Sequence, residues 1–210
     1  VTINEGDPVV IEEPGYLGAI QALSLYRPRY LPIKVDAEGM DLSGLDGVIS
    51  ENPKMMYTVP NFQNPSGISY THENRCRIIE IIRDSDCLLV EDDPYGSLRF
   101  QGEPVASFHH LAPAQTILLG SFSKTVVPGF RIGWVAAPEK IYDKLLIAKQ
   151  AADLHTCNFT QFVLLDFLTN NEIDDHLVKI RTAYGNQCRA MIDAIERNFP
   201  HYVSCTKPSG

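Results

Sequence analysis

The apolar residues of this chain fall into short continuous runs, separated by longer segments in which they recur at helical spacing. Six runs predict buried strands, at residues 9–11, 31–35, 55–59, 88–90, 116–120 and 132–136. Continuous apolar strands that alternate with helices are typical of a mostly parallel sheet covered on both faces. We therefore expect an α/β fold of three layers, with the sheet in the middle.

The segments between and after these strands predict helices. Their expected bounds are residues 16–27, 40–49, 72–84, 138–153, 160–169 and 172–198. Thr71 is placed to cap the third helix, and Pro138 suits the first turn of the fourth. The segment that contains His109 and His110 lacks such spacing and reads as a polar loop with solvated side chains. A final run at residues 202–205 is strand-like.

Polar side chains follow three of the predicted strands at their carboxyl ends. They are Asn64 after the third strand, Asp92 and Tyr95 after the fourth, and Ser121, Ser123, Lys124 and Arg131 after the fifth. The carboxyl ends of parallel strands meet at one edge of a sheet, which is where open α/β sheets bind ligands. We therefore expect these side chains to face a common crevice.

The loop after the fifth strand carries the most informative chemistry. Arg131 can clamp a phosphate with two hydrogen bonds while the hydroxyls of Ser121 and Ser123 donate to the remaining oxygens. A lysine beside that clamp can condense with a carbonyl group to form an imine. Pyridoxal 5'-phosphate (PLP) requires both features. Each residue alone has an ordinary explanation, because most loop lysines are surface charges and Asn-Pro-Ser-Gly is a common turn.

Four motifs occur in order along nearly the whole chain. They are EPGY at 13–16, PNFQNPSG at 60–67, VEDDPYG at 90–96, and GSFSKT at 120–125 continuing to PGFRIGW at 128–134. On these motifs the chain resembles the large domain of the fold-type I, class I/II aminotransferases, and among them the 2-aminoadipate and kynurenine aminotransferase branch. The resemblance implies a mostly parallel mixed sheet. It also implies a PLP-dependent transaminase that exchanges an amino group between an amino acid and a 2-oxo acid.

The resemblance further implies which residues carry the chemistry. Lys124 would bind PLP covalently and then move the α-proton of the substrate. Asp92 would pair with the pyridine nitrogen, and Tyr95 would hydrogen-bond the phenolic oxygen together with Asn64. Lys124, Asp92 and Tyr95 are therefore the catalytic candidates, while Asp93 is interpreted as a structural hydrogen-bonding residue.

The remaining cofactor contacts follow from the same resemblance. Ser121, Ser123 and Arg131 would hold part of the phosphate group. Tyr16 would stack on the face of the ring, a role that an aromatic side chain can fill sterically.

The resemblance also divides the chain. Residues 1–171 would form a PLP-binding large domain without its N-terminal part, and residues 172–210 an interdomain helix with the start of a truncated small domain. We interpret the chain as an interior fragment. In the family, a turn before Val1, a tyrosine of a partner subunit and an arginine beyond Gly210 complete the site. We therefore expect a homodimer for the whole protein, and little or no activity for these residues alone.

Composition narrows the class of partner. The formal net charge of −8, without any polybasic run, argues against nucleic acid or an anionic membrane as a partner. No apolar segment approaches the roughly 20 residues of a membrane-spanning helix. The five cysteines are odd in number and include no Cys-x-x-Cys pair, which indicates reduced thiols and a cytoplasmic location.

Three other functions stay open on the sequence. A GntR-type transcription regulator would use an aminotransferase-like domain as a PLP-dependent sensor, although such regulators tend to carry Tyr-Asp where this chain has Pro94 and Tyr95. A PLP-dependent lyase would eliminate a β-substituent on the same scaffold. In a phosphate-binding α/β module, Lys124 would act through its charge alone.

Overall fold

A computed structural model describes all of residues 1–210 as helices packed on one seven-stranded sheet. The strands are β1 Pro8–Glu13, β2 Arg29–Asp36, β3 Gly39–Met40, β4 Met55–Thr58, β5 Leu88–Asp92, β6 Thr116–Ser121 and β7 Gly133–Ala136. Their spatial order is β3-β2-β1-β4-β5-β6-β7. The central strands pair in parallel, and the two edge strands, β3 and β7, pair antiparallel. The predicted mostly parallel mixed sheet is therefore confirmed.

Seven α-helices accompany the sheet. They are α1 Leu17–Ser24, α2 Leu45–Ile49, α3 His72–Ile82, α4 Phe108–Leu111, α5 Glu139–Asp153, α6 Asn158–Asn170 and α7 Ile173–Asn198. The predicted cap of α3 is confirmed, because the Thr71 hydroxyl accepts a hydrogen bond from the backbone N–H of Asn74 at 3.2 Å. Pro138 lies one position earlier than predicted, at the N-cap of α5. None of the helices has both the length and the apolar character needed to span a bilayer.

Two apolar clusters show that helices cover both faces of the sheet. One cluster places Met56 of β4 against Ile78 of α3, and the other places Val90 of β5 near Ile141 of α5. Neighbouring residues of β1 divide between the clusters, because successive side chains of a strand point to opposite faces. The predicted three-layer arrangement is confirmed.

Two predicted helices differ from the structure by three or more residues at one end, whereas the other four agree within two residues. Met40 was expected to begin a helix but lies in β3 and pairs with Val35, because Gly39 turns the chain back at a φ of 132°. A 3-10 turn and α2 follow only from residue 42. The first helix ends at Ser24 instead of residue 27, since Arg27 precedes a proline and has a φ of 47°.

Two further predictions were wrong. The loop around His109 and His110 contains the short helix α4, whose first turn is capped by the Ser107 hydroxyl accepting from the His110 N–H at 3.0 Å. The strand-like run at 202–205 forms no strand. There the Val203 N–H donates to the Pro200 carbonyl at 2.9 Å, which closes a turn.

A buried ion pair joins α3 to β5 below the carboxyl edge of the sheet. The side chains of Arg75 and Glu91 are both 0% exposed, and their Nη1 and Oε1 atoms lie 3.7 Å apart. Arg75 Nη2 also donates to the Pro60 carbonyl at 3.0 Å and to Asn61 Oδ1 at 2.8 Å. The pair therefore holds the segment at 60–67 next to the end of β5.

Replacing Arg75 with methionine should lower the free energy of unfolding of the full-length protein by about 3–5 kcal/mol. The substitution keeps most of the buried volume but leaves the Glu91 charge without its cationic partner. Arg77→Met on the same helix is the matched control, because Arg77 pairs with Glu80 on the surface and should change the stability by less than about 1 kcal/mol. Urea unfolding measures both, and equal losses would contradict the expectation.

Candidate active site

A cavity of 350 Å³ lies at the carboxyl edge of the sheet, where β4, β5 and β6 end. Its volume falls within the roughly 300–1,000 Å³ of small-molecule sites. The cavity is lined by Tyr16, Val59, Asn64, Asp92, Pro94, Tyr95, Ser121, Ser123, Lys124 and Arg131. The structure thus brings together every site residue that the sequence suggested, and adds Val59 and Pro94. The roles of these residues stay predictions.

The loop that carries Lys124 begins at the last residue of β6. The Ser123 N–H donates to Ser121 Oγ at 3.0 Å, which turns the chain directly after the strand. The N–H groups of Val126 and Val127 both donate to the Phe122 carbonyl, at 2.9 and 3.1 Å. These bonds fold the loop into a compact turn that keeps the two hydroxyls and the amine at one end of β6.

Gly120 lets a large ring pack against β6 just before this loop. In the β6–β7 pairing Gly120 stands opposite Trp134, and a Cβ atom on Gly120 would overlap the Trp134 indole. Any side chain at position 120 would therefore displace either the ring or the strand that leads into the loop.

Arg131 adopts a backbone conformation that is uncommon for a residue other than glycine. Its φ and ψ are 53° and 42°, in the left-handed region. Such conformations cost roughly 1–3 kcal/mol and cluster at ligand sites. Within the chain the guanidinium donates only to the Pro128 carbonyl, through Nη1 at 3.4 Å. Its other N–H groups are available to bind an anion in the cavity.

The long helix α7 supports the Lys124 loop from outside the cavity. His176 Nε2 lies 3.1 Å from the Thr125 carbonyl oxygen. A carbonyl oxygen only accepts hydrogen bonds, so Nε2 carries the proton and donates. The His176 ring also packs edge-on against Phe167 of α6, with centroids 5.6 Å apart. Sequence reasoning missed this support, which links both C-terminal helices to the loop.

Tyr57 of β4 is the second residue that sequence reasoning missed. Its hydroxyl donates a hydrogen bond to Asp92 Oδ2, and its side chain is 7% exposed. The β4–β5 register places Tyr57 opposite Val90, two residues before Asp92 and therefore on the same face of the sheet. A polar-tipped aromatic residue in the buried run 55–59 was the signal available in the sequence.

Burial governs the electrostatics of this pair. It raises the pKa of the Asp92 carboxyl above its usual range; the Tyr57 hydrogen bond opposes the shift and the Asp93 charge adds to it. Burial and the Asp92 charge raise the pKa of Tyr57 far above its usual value, so the hydroxyl stays protonated and donates. Asp92 forms no ion pair within the chain. A cationic ring nitrogen, such as that of PLP, would offset the cost of burying its charge.

A fully buried carboxylate, Glu12, contacts the backbone of Val59, which lines the cavity. Glu12 of β1 is 2% exposed, and its Oε1 accepts from the Val59 N–H and from the Tyr70 hydroxyl, both at 2.8 Å. Its Oε2 accepts from Gln63 Nε2 at 2.9 Å. Burial raises the pKa of the Glu12 carboxyl, and these hydrogen bonds oppose the shift. Glu12 therefore ties the end of β1 to the segment that carries Asn64.

Asp93 has a structural role, as its interpretation from the sequence proposed. Its Oδ1 accepts a hydrogen bond from the Gly96 N–H at 2.8 Å, which starts the turn after β5. It does not line the cavity, whereas Asp92, Pro94 and Tyr95 do. The turn that Asp93 closes brings Pro94 and Tyr95 to the cavity.

The chain is similar to known proteins over its whole length. The aromatic-amino-acid aminotransferase 1 of Thermococcus litoralis is 41% identical over 217 residues, which cover 100% of this chain and 52% of that protein. The 2-aminoadipate transaminase of Thermus thermophilus is 37% identical, with coverages of 100% and 54%. At lower identity, 33%, an HTH-type transcriptional regulator of Escherichia coli matches 94% of this chain and 43% of its own length.

Comparison of the fold with solved structures also finds aminotransferases. A crystal structure of kynurenine aminotransferase from Pyrococcus horikoshii, in complex with PMP, matches with a TM-score of 0.95 and 40% identity, over 100% of this chain and 54% of that protein. The chain thus spans about half the length of these relatives. The family model described as aminotransferase class I and II matches residues 1–210. This chain therefore belongs to the class I and II aminotransferases.

Proposed function

We propose that the full-length protein is a PLP-dependent aminotransferase that transfers an amino group from an amino acid to a 2-oxo acid. The observation that carries the proposal is one cavity in which a lysine, a partly buried carboxylate and an anion-binding group meet. When bound, PLP supplies an electrophilic aldehyde and a cationic ring that accepts the electron pair released at the substrate α-carbon. The residues of the chain supply attachment, orientation and proton transfer.

Lys124 and the phosphate-binding group would hold the cofactor at the end of β6. The Lys124 amine would form the covalent attachment. Ser121 and Ser123 would donate hydroxyl hydrogen bonds to the phosphate, and Arg131 would add two N–H groups and a positive charge. The substrate amine would displace the Lys124 amine from the cofactor. The freed Lys124 amine would then take the proton from the substrate α-carbon and pass it to the cofactor.

The opposite side of the cavity would orient the ring. Asp92 would keep the ring nitrogen protonated, because a partly buried carboxylate favours a nearby cation. Tyr95 and Asn64 would hydrogen-bond the phenolic oxygen, and Tyr16 would cover one face of the ring. The segment at 60–67, which Glu12 and Arg75 anchor, fixes the position of Asn64.

The proposal extends to the domains, the oligomeric state and the location of the full-length protein. We propose that residues 1–171 belong to a large PLP-binding domain and that residues 172–210 lead into a smaller one. We also propose a homodimer in the cytoplasm. Large apolar side chains that this chain leaves exposed on α6 support an interface there, since Phe159 is 74% and Phe162 68% exposed.

The test is a half-reaction of the full-length protein loaded with PLP. Amino acids of different side-chain class are added singly, and the absorbance of the bound cofactor is followed. We expect at least one donor to convert the cofactor to its amine form with release of the matching 2-oxo acid. Ammonia and pyruvate as products would instead identify a lyase, and an unchanged spectrum with every donor would contradict an aminotransferase.

The similarity to a transcriptional regulator favours a second candidate, a PLP-dependent sensor joined to a DNA-binding segment. The higher identity to aminotransferases, 41% against 33%, favours the enzyme. Pro94 and Tyr95 also favour the enzyme on the sequence pattern given above. A gel-shift assay with the full-length protein distinguishes the two, because specific binding to DNA is expected only of the regulator.

A further inference from the structure

We propose that Tyr57 is a positioning residue for Asp92, in which the tyrosine hydroxyl holds one carboxylate oxygen so that the other faces the ring nitrogen of the cofactor. This inference rests on the proposed function. It assigns a task to a residue of the sheet interior that does not line the cavity.

The geometry separates the two oxygens of the carboxylate. Asp92 Oδ2 accepts the hydrogen bond from the Tyr57 hydroxyl, while Oδ1 accepts none within the chain. Asp92 is the last residue of β5 and lines the cavity, whereas Tyr57 lies within β4 with its ring in the apolar cluster on that face. The buried partner therefore orients a carboxylate whose free oxygen remains at the site.

The frame that holds Tyr57 is rigid. β4 pairs in parallel with both β1 and β5, so the Tyr57 backbone is fixed from two sides. Two residues further on, the Val59 N–H donates to the buried Glu12 carboxylate at 2.8 Å. The hydroxyl therefore sits at a defined point relative to Asp92, as orientation of a charged group requires.

The charged groups near Tyr57 and Asp92 make the Tyr57 hydroxyl important for keeping Asp92 ionised. Negative charges oppose ionisation of both groups, because Glu12 lies near Tyr57 and Asp93 lies near Asp92, while Lys124 and Arg131 line the same cavity as Asp92. Without the hydroxyl, Asp92 would lose its donor while keeping the negative charge of Asp93 nearby. The Asp92 carboxylate would then bind a proton more readily and would compete with the ring nitrogen for it.

The test compares Tyr57→Phe with the wild type in the full-length, PLP-loaded protein. Phenylalanine keeps the buried ring and removes only the hydroxyl. Tyr30→Phe is the matched control, because the Tyr30 hydroxyl donates to the Ile20 carbonyl at 2.9 Å on a strand that does not reach the cavity. The measurements are the pH titration of the bound-cofactor absorbance, the dissociation constant for PLP, and kcat and KM of the amino-donor half-reaction.

We expect Tyr57→Phe to raise the midpoint of the absorbance titration by about one pH unit and to lower kcat about tenfold, as the loss of one hydrogen bond to a charged group implies. When the ring nitrogen is less often protonated, the nitrogen that joins the cofactor to Lys124 keeps its own proton to a higher pH. The midpoint of the titration therefore rises. The KM should change little, and Tyr30→Phe should match the wild type in every measurement.

A double-mutant cycle separates positioning from packing. In an Asp92→Asn background, Tyr57→Phe should change neither the titration nor the PLP dissociation constant further, since the carboxylate that the hydroxyl orients is gone. An additive effect in that background would overturn the inference, as would a wild-type titration in the single variant. A wild-type protein that binds no PLP would overturn the proposed function itself, and the inference with it.

Discussion

Replacing Lys124 with alanine is expected to abolish covalent attachment of PLP in the full-length protein and to lower the transamination rate about 10³-fold or more. Two functions would be lost together, because in the proposed function the same amine holds the cofactor and moves the α-proton. The stability of the fold should change little, since Lys124 is an exposed loop residue without an ion pair.

A second substitution at the same position distinguishes covalent chemistry from charge. Lys124→Arg keeps the positive charge beside Arg131 but cannot form the attachment. Borohydride reduction followed by peptide mapping should label position 124 in the wild type and in neither variant. Lys144→Arg, at an exposed position on α5, is the control and should keep both the label and the rate.

The outcome for Lys124→Arg decides between two proposals. If the arginine variant binds PLP as tightly as the wild type and the wild type itself takes no borohydride label, Lys124 acts through its charge alone. The phosphate-binding module would then replace the enzyme as the best description of the cavity. Loss of the label at position 124, with the fold intact, supports the aminotransferase.

The location of the site could be predicted from the sequence because it depends on two local features and one rule of topology. Apolar runs mark the strands, and the polar residues that follow them mark the loops. Parallel strands then place those loops at one edge. Asn64, Asp92 and Lys124 lie far apart in the sequence, yet this reasoning brings them to one cavity, as the structure does.

The residues that support the site from outside the cavity could not be predicted in the same way. Strand register and burial decide which partners they contact, and neither can be read from the local sequence. Glu12 stands 47 residues from Val59, and His176 stands 51 residues from Thr125. Glu12 follows an apolar run and reads as the solvated end of a strand, although it is 2% exposed. The structure shows that β1 pairs with β4 and that the Glu12 carboxylate accepts hydrogen bonds from three donors.

The wrong helix bounds have a related cause. Helical spacing at residues 40–49 was real from residue 42 onward, but the pairing of Met40 with Val35 overrode it at the start. The helix at 108–111 is one turn long, too short for periodicity to reveal. Its formation depends on the Ser107 cap and on the His109 N–H, which donates to the buried Glu91 carboxylate at 2.9 Å.

Replacing Asp92 with asparagine is expected to lower kcat/KM of the amino-donor half-reaction about 10³-fold, which corresponds to about 4 kcal/mol of barrier. The amide has nearly the same shape, but it carries no negative charge to keep the ring nitrogen protonated. A neutral ring accepts the electron pair from the α-carbon poorly. Borohydride labelling of Lys124 should persist, because attachment of the cofactor does not need the carboxylate.

Asp93→Asn is the matched control one residue away. Asp93 carries the same charge but lies outside the cavity, where its carboxylate accepts from the Gly96 N–H. The control should lose about 1 kcal/mol of stability through a weaker turn, while its half-reaction rate stays close to that of the wild type. Rapid-mixing absorbance measurements on both variants give the rates. Similar losses at positions 92 and 93 would mean that the rate follows the total negative charge at the end of β5, and would contradict the specific pairing of Asp92 with the cofactor ring.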